Sequence, residues 1–324
     1  RQSWPRGQEV LLGQLRLHFD MPSSENQMEA YKDLTYLSQV VHAHCLMLSS
    51  SHFRLQRGST AGTMGLMYWS LNNQWQGQSD AAIDYTGRWK LLLHATSRFY
   101  APILLTLHAA SDTPSSNISL TAGIINDTPA TGSATVSLTL RSWATGMALR
   151  SWNSTGDLPA YSSHNFSKAN ASHYLSGHTP SSVFLTATVT FAVDMNTGLA
   201  AETLLQSGEN ARRVSEAVAA AESAQAHHFF TKMKVADLVD PQIKLVVGRD
   251  STHGLTVTVS CVAPAPYVFI DPGQLKGHFN DNGFLLLPHE PKQLTFDPQG
   301  EIVTPEKLQA HVTVRSPYGT THKR

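Results

Sequence analysis

Only two cysteines, Cys45 and Cys261, occur in the 324 residues. Two thiols so far apart form neither a disulfide framework nor a thiolate metal site, and the expectation is two buried free thiols. Charge is also scarce: Asp, Glu, Lys and Arg make up 15% of the chain, against roughly 25% in ordinary soluble domains. The 24 basic and 24 acidic residues cancel. A nucleic-acid partner, which would favour a basic face, is therefore not expected. No apolar run approaches the ~20 residues that span a bilayer, so no membrane insertion is expected. The opening Arg1-Gln-Ser-Trp-Pro5 has neither an apolar signal-peptide core nor an initiator Met. The expectation is a processed product or a piece of a longer chain.

Other absences narrow the chemistry. Gly58-Ser-Thr-Ala-Gly62 lacks the Lys-Ser/Thr that completes a phosphate loop, and no Gly-x-Ser-x-Gly elbow occurs. Phosphoryl transfer and serine hydrolysis are thus unsupported. His42 and His44 are two apart on a helical stretch, and His227 and His228 are adjacent. Neither spacing converges on one ion, and neither a metal nor a cofactor is expected.

Apolar residues at 41% suffice for ordinary cores, and the length suits two or three domains. Five of the twelve asparagines head Asn-X-Ser/Thr sequons: Asn117, Asn126, Asn153, Asn165 and Asn170. Clustered sequons on a Ser/Thr-rich stretch predict an exposed, N-glycosylated region and a secretory or lysosomal location.

Residues 1–27 read as irregular. Leu34, Leu37, Val41, Cys45 and Leu48 recur at helical spacing, so Glu29 to Ser50 reads as a helix. Met64–Leu71 reads as a short buried strand and Gly87–Tyr100 as a second helix ending before Pro102. That is the rhythm of an α/β unit. Period-two alternation then takes over at Ile118–Ile124, Val136–Leu140 and Val183–Phe191, the mark of an antiparallel sandwich, with Ser142–Pro180 read as loop. The Ala- and Glu-rich stretch Glu209–Phe230 reads as a helix. A second sandwich follows, with strands at Ile243–Val247, Leu255–Val259, Tyr267–Ile270, Gly283–Leu287 and His311–Val314.

The densest chemistry sits in Gly62-Thr-Met-Gly-Leu-Met-Tyr-Trp69-Ser-Leu-Asn-Asn-Gln-Trp75. Aromatic rings stack on the C–H face of a sugar and amides pair with its hydroxyls, so the combination suits a carbohydrate. Placement of Tyr68 and Trp69 in a core accounts for the same residues. The carboxylates Glu25, Glu29, Asp33, Asp80 and Asp84 form no specific acid–base pair in sequence.

This segment, with Asp84-Tyr-Thr-Gly-Arg-Trp-Lys90 and Phe99-Tyr-Ala-Pro102, resembles the β-mannosidases of glycoside hydrolase family 2. So do Ala265-Pro-Tyr-Val-Phe-Ile-Asp-Pro-Gly273 and Phe279-Asn-Asp-Asn-Gly-Phe-Leu285, which are similar to the last domain of the animal lysosomal enzymes. Gln2-Ser-Trp-Pro5 matches the stretch just after the family's nucleophile, and that register implies a nucleophilic Glu upstream of Arg1. The resemblance implies a mixed fold: the C-terminal part of a (β/α)8 barrel followed by two immunoglobulin-like antiparallel β-sandwich domains. The expected divisions are 1–103 for the barrel segment, 104–206 for the first sandwich, 207–232 for a helical linker or insertion and 233–324 for the second sandwich.

The implied activity is retaining hydrolysis of terminal, non-reducing β-mannose from lysosomal oligosaccharides. Trp69 matches the family's floor under the terminal sugar, and Trp4, Trp75 and Asn73 match positions near the pocket. Ser70 and Asn73 depart from the family's Gln and Asp. No catalytic carboxylate is expected in this chain, which is expected to be inactive alone, with residues 1–100 poorly ordered. The alternative is a non-catalytic carbohydrate-binding or adhesion protein built of sandwiches; a family 2 enzyme of other sugar preference is a third reading.

Overall fold

The computed structural model describes residues 6–22, 24–77, 79–110, 118–194, 215, 219, 224–251 and 254–321. Its helical end begins with α1 (Gly7–His18) and α2 (Gln27–Leu55). Asn26 caps α2 by accepting from the backbone N–H groups of Met28 and Glu29 at 3.0 and 3.3 Å, which satisfies two otherwise orphaned donors. The buried stripe Asp33, Tyr36, Leu37 and Val40 faces the rest of the molecule. A single 3-10 turn, Gln56–Gly58, closes the helix. Gly58 comes so near Ser163 that a Cβ there would lie 2.9 Å from the Ser163 carbonyl oxygen. Helix α3 (Leu91–Phe99) packs on α2 through Leu92, Ala95 and Phe99.

The first sandwich sets β1 (Ile103–Ala110), β2 (Ser119–Asn126) and β5 (Ser162–Asn170) against β3 (Gly132–Ser142), β4 (Ala148–Leu158), β6 (Val183–Val193) and β7 (Gln225–Phe229). The sheet orders are β1-β2-β5 and β4-β3-β6-β7, antiparallel at every pairing. Strand β3 shows the cause: Ala134, Val136, Leu138 and Leu140 point into the core while Ser133, Thr135, Ser137 and Thr139 point out. A short helix, α4 (Ala171–Leu175), follows β5.

The second sandwich has one sheet of β8 (Lys244–Asp250), β9 (Gly254–Ser260), β13 (Lys292–Asp297) and β11 (His278–Phe279). The facing sheet holds β10 (Ala265–Asp271), β12 (Phe284–Leu286) and β14 (Thr313–Arg315). Helices α5 (Pro305–His311) and α6 (Pro317–Thr321) flank it. Each buried Val, Leu, Ile or Phe of the two cores contributes roughly 1.5–3 kcal/mol.

A further core ties the parts together. Leu15, Phe19, Tyr36, Leu37 and Val40 from α1 and α2 meet Trp143 and Phe184 of the first sandwich region. Tyr267 and Phe269 of β10 pack against the same cluster.

Several expectations are corrected. Residues 7–18 are helical, with Leu15 and Phe19 buried; the glycines at 7 and 13 obscure the period. Met64–Leu71 forms no strand, and Met64 and Met67 are exposed, because no neighbouring strand pairs with this segment. Strands β4 and β5 and α4 occupy the expected loop 142–180. Both strands lie at sheet edges with mostly polar, exposed side chains, so alternation is faint. The end of the expected Glu209–Phe230 helix is strand β7, which pairs with β6 and moves residues 225–229 from linker into the first sandwich. Residues 195–214, 216–218 and 220–223 of that region lie outside the described residues. Cys45 is exposed and Cys261 half-buried, not two buried thiols.

Candidate functional site

The segment between the 3-10 turn and α3 carries the aromatic motif. It is shaped by backbone bonds local to the loop. Ala82 N–H donates to the Ser70 carbonyl at 3.0 Å, Ile83 N–H to that of Leu71 at 2.8 Å, and Asn73 N–H to that of Ile83 at 3.0 Å. The Trp69–Ser70 peptide bond is cis.

Tyr68 anchors the loop. Its ring stands edge-on to Phe99, centroids 6.2 Å apart, and leans on Tyr100. Partial burial raises its phenol pKa. Tyr100 in turn donates its hydroxyl to the Leu66 carbonyl at 3.1 Å. Trp69, the next residue, is 82% exposed, Trp75 is 73% exposed and Met67 is 95% exposed. Tyr68 therefore belongs to the packing, and Trp69 presents a free ring. Asn73 is half-buried and its side-chain oxygen accepts from the Ser79 hydroxyl. That bond uses the amide oxygen and neither of the two N–H donors. Trp4 lies outside the described residues.

The motif Asp84–Lys90 does structural work. The Asp84 carboxylate accepts from Thr86 N–H at 2.8 Å, Thr86 Oγ1 at 2.6 Å and Arg88 N–H at 3.0 Å. Gly87 takes φ +86° in the same turn, a conformation glycine adopts without cost. Arg88 then donates to the Gly273 carbonyl at 2.6 Å, and Trp89 stacks on His278 at 3.6 Å between centroids. The loop bearing Trp69 is thus pinned to the second sandwich. Ser79 and His278 had no local signal in sequence, since each acts through a partner brought close only by folding.

Among the described residues, no three His, Cys, Asp or Glu side chains converge on a metal position. Two cavities lie elsewhere, one beside Asp33 and Arg315 and one beside Arg249 and Asp297.

Of the five sequon asparagines, Asn153, Asn165 and Asn170 are exposed and Asn117 lies outside the described residues. Asn126 is 0% exposed. Its amide donates to the carbonyls of Ala130 and Pro159 at 2.8 and 2.9 Å. Both amide hydrogens of Asn126 are thus used inside the fold.

Residues 119–197 match the family described as Mannosidase Ig/CBM-like domain, and residues 238–320 match the Ig-fold domain family Ig_mannosidase. The β-mannosidase of Capra hircus is 36% identical over 128 residues, which are 36% of this chain and 15% of that protein. The β-mannosidase A of Aspergillus clavatus is 26% identical over 320 residues, covering 97% of this chain and 32% of that protein. The β-D-mannosidase structure from Dictyoglomus thermophilum superposes with a TM-score of 0.70 at 16% identity, over 96% of this chain and 32% of that one.

The chain resembles the C-terminal portion of a family 2 β-mannosidase. It spans about a third of the length of the β-mannosidases that it matches throughout. The two β-mannosidase-type Ig domains are the two sandwiches: the first match runs from β2 past β6 and leaves out β1 and β7, and the second takes in β8 through β14. An exo-chitosanase of Amycolatopsis orientalis shares the fold at a TM-score of 0.60 and 15% identity.

Proposed function

We propose that this sequence is the C-terminal part of a retaining exo-β-mannosidase that removes terminal, non-reducing β-D-mannose from oligosaccharides in the lysosome. The observation that supports it best is the β-mannosidase similarity across 97% of the chain, joined to a bare, anchored Trp69. In this reading, residues 6–100 belong to a (β/α)8 barrel whose remainder would cover the exposed stretch Met64–Leu71. Trp69 forms the floor beneath the terminal sugar, with Trp75 and the Asn73 amide at its rim.

The reaction needs two carboxyl groups about 5–5.5 Å apart. One attacks the anomeric carbon while the other protonates the leaving oxygen; water then releases mannose with its configuration retained. Asp84 is tied into the loop turn through its Oδ1, which accepts from Thr86 and Arg88. The resemblance of Gln2–Pro5 to the stretch that follows the family's nucleophile assigns the pair to chain outside residues 1–324, and these residues supply the sugar platform and the two sandwiches.

The full protein is expected to hydrolyse an aryl β-D-mannoside in preference to the aryl β-D-galactoside and to give β-mannose as first product. Residues 1–324 alone are expected to give no turnover. Hydrolysis by 1–324 would overturn the assignment of the carboxylates. Binding without turnover by the full protein would favour a carbohydrate-binding protein, the reading that the exposed Trp69 and Trp75 also fit.

A further inference from the structure

One flank of the first sandwich is formed by the edge strands β4 and β5. Among the described strands, β4 pairs only with β3 and β5 only with β2. The two lie side by side, because the Ser154 hydroxyl of β4 donates to the Phe166 carbonyl of β5. Edge strands present unpaired N–H and C=O groups that recruit other chains unless something blunts them. Proline, bulges and lysine are the usual devices. Strand β4 holds no proline or lysine and β5 a single lysine, Lys168, while each strand carries one bulge, at Leu149 on β4 and at Phe166 on β5.

The flank also has sequons. Asn153 precedes Ser154 on β4, and Asn165 precedes Phe166 on β5, so each is next in sequence to one partner of the bridging hydrogen bond. Asn170 ends β5 and precedes α4 without capping it, unlike Asn26 on α2. All three are exposed. Asn126, which obeys the same three-residue pattern, is at the inner end of β2 with its amide consumed.

We propose that Asn153, Asn165 and Asn170 carry N-linked glycans that shield this flank against edge-to-edge pairing, and that Asn126 stays unmodified. The inference rests on the secretory location proposed above. At each site the amide nitrogen forms a bond to the anomeric carbon of a lipid-diphosphate-linked oligosaccharide. The sugar–oxygen bond breaks with its electron pair leaving on the diphosphate, and one amide proton is released. At Asn126 that lost hydrogen is one of the two that hold Ala130 and Pro159, and a sugar would enter the core.

The test uses the full protein secreted from eukaryotic cells. Peptide-N-glycosidase digestion in heavy-oxygen water converts each glycosylated Asn to labelled Asp, read by peptide mass spectrometry. Label at 153, 165 and 170 and none at 126 is expected; label at 126, or its lack at any of the three, overturns the assignment. If no asparagine of the protein is modified, the location falls with it, while the hydrolase reading keeps its own assay.

The shielding role is read by light scattering. The folded protein, deglycosylated without denaturation, is expected to associate with rising concentration, as is the Asn153→Gln/Asn165→Gln/Asn170→Gln variant. The corresponding triple Lys variant is expected to stay dispersed, because lysine blunts an edge without a sugar. Equal dispersion of all forms, or equal association of the Gln and Lys variants, overturns the role.

Discussion

The Arg315 guanidinium at the end of β14 reaches the fully buried Asp33 carboxylate on α2, and its other nitrogen lies 3.4 Å from Glu29. The last strand of the chain is thereby tied to its longest helix. Removing one partner of a buried ion pair leaves the other uncompensated, which costs about 3–5 kcal/mol. Asp33→Ala is expected to lower the unfolding free energy from urea titration by that much, and Asp33→Leu/Arg315→Leu to cost less than the two single changes summed. Additive losses would refute the coupling.

Four histidines, His94 buried and His44, His227 and His228 half-buried, set an acid limit. Burial pulls His44, His94 and His228 down to about 4 and His227 to about 3. His44, whose Nδ1 lies 3.0 Å from the Tyr267 hydroxyl, is further opposed by His18. Each folded value lies below the ordinary 6.5, so the unfolded chain binds more protons. The stabilisation is therefore present above pH 6.5 and is lost as pH falls toward 4, by at most about 1.4 kcal/mol per pH unit for each group. Unfolding midpoints across that range should fall with acid, and His227→Phe should flatten the slope by about one proton.

Trp69→Ala separates site from scaffold. The exposed ring supports little packing, so stability should change by less than about 0.5 kcal/mol. Loss of an aromatic anchor under a ligand costs about 2 kcal/mol or more, so kcat/KM of the full protein for an aryl mannoside should fall about thirtyfold or further. Unchanged catalysis would remove Trp69 from the sugar site.

Arg54 links α2 to the end of α3 and to the first sandwich. It donates to the Phe99 carbonyl, to that of Ala101 at 3.0 Å and to Asp127 at 2.7 Å. Lysine cannot reproduce that fork. Arg54→Lys is expected to destabilise by about 1–3 kcal/mol, since buried carbonyls lose their donor; a midpoint unchanged by calorimetry would contradict it.

The sandwiches were legible where one face is buried and the other wet, as in Ala134–Leu140. Strands β4 and β5 were not, because an edge strand with both faces partly wet has no contrast to read. The helical α1 was hidden by Gly7 and Gly13, and β7 by an Ala-rich lead-in whose pairing with β6 outweighs local preference. At the site, the motif located Trp69, but that Tyr68 is packed while Trp69 is bare depends on Phe99 and Tyr100. The burial of Asn126 is equally invisible in a three-residue pattern.

Helix α2 holds the second sandwich near its start, through Asp33 and through Tyr36, whose hydroxyl donates to the Tyr267 carbonyl at 2.6 Å. It holds the first near its end, through Arg54 and the Leu55 carbonyl, which accepts from Ser163 at 2.8 Å. With 29 residues at 1.5 Å each, it is a strut about 43 Å long. The spacing of the two domains is then set by two things at once, the length of this helix and the direct contact of Phe229 in β7 with Tyr267 in β10, ring centroids 5.8 Å apart.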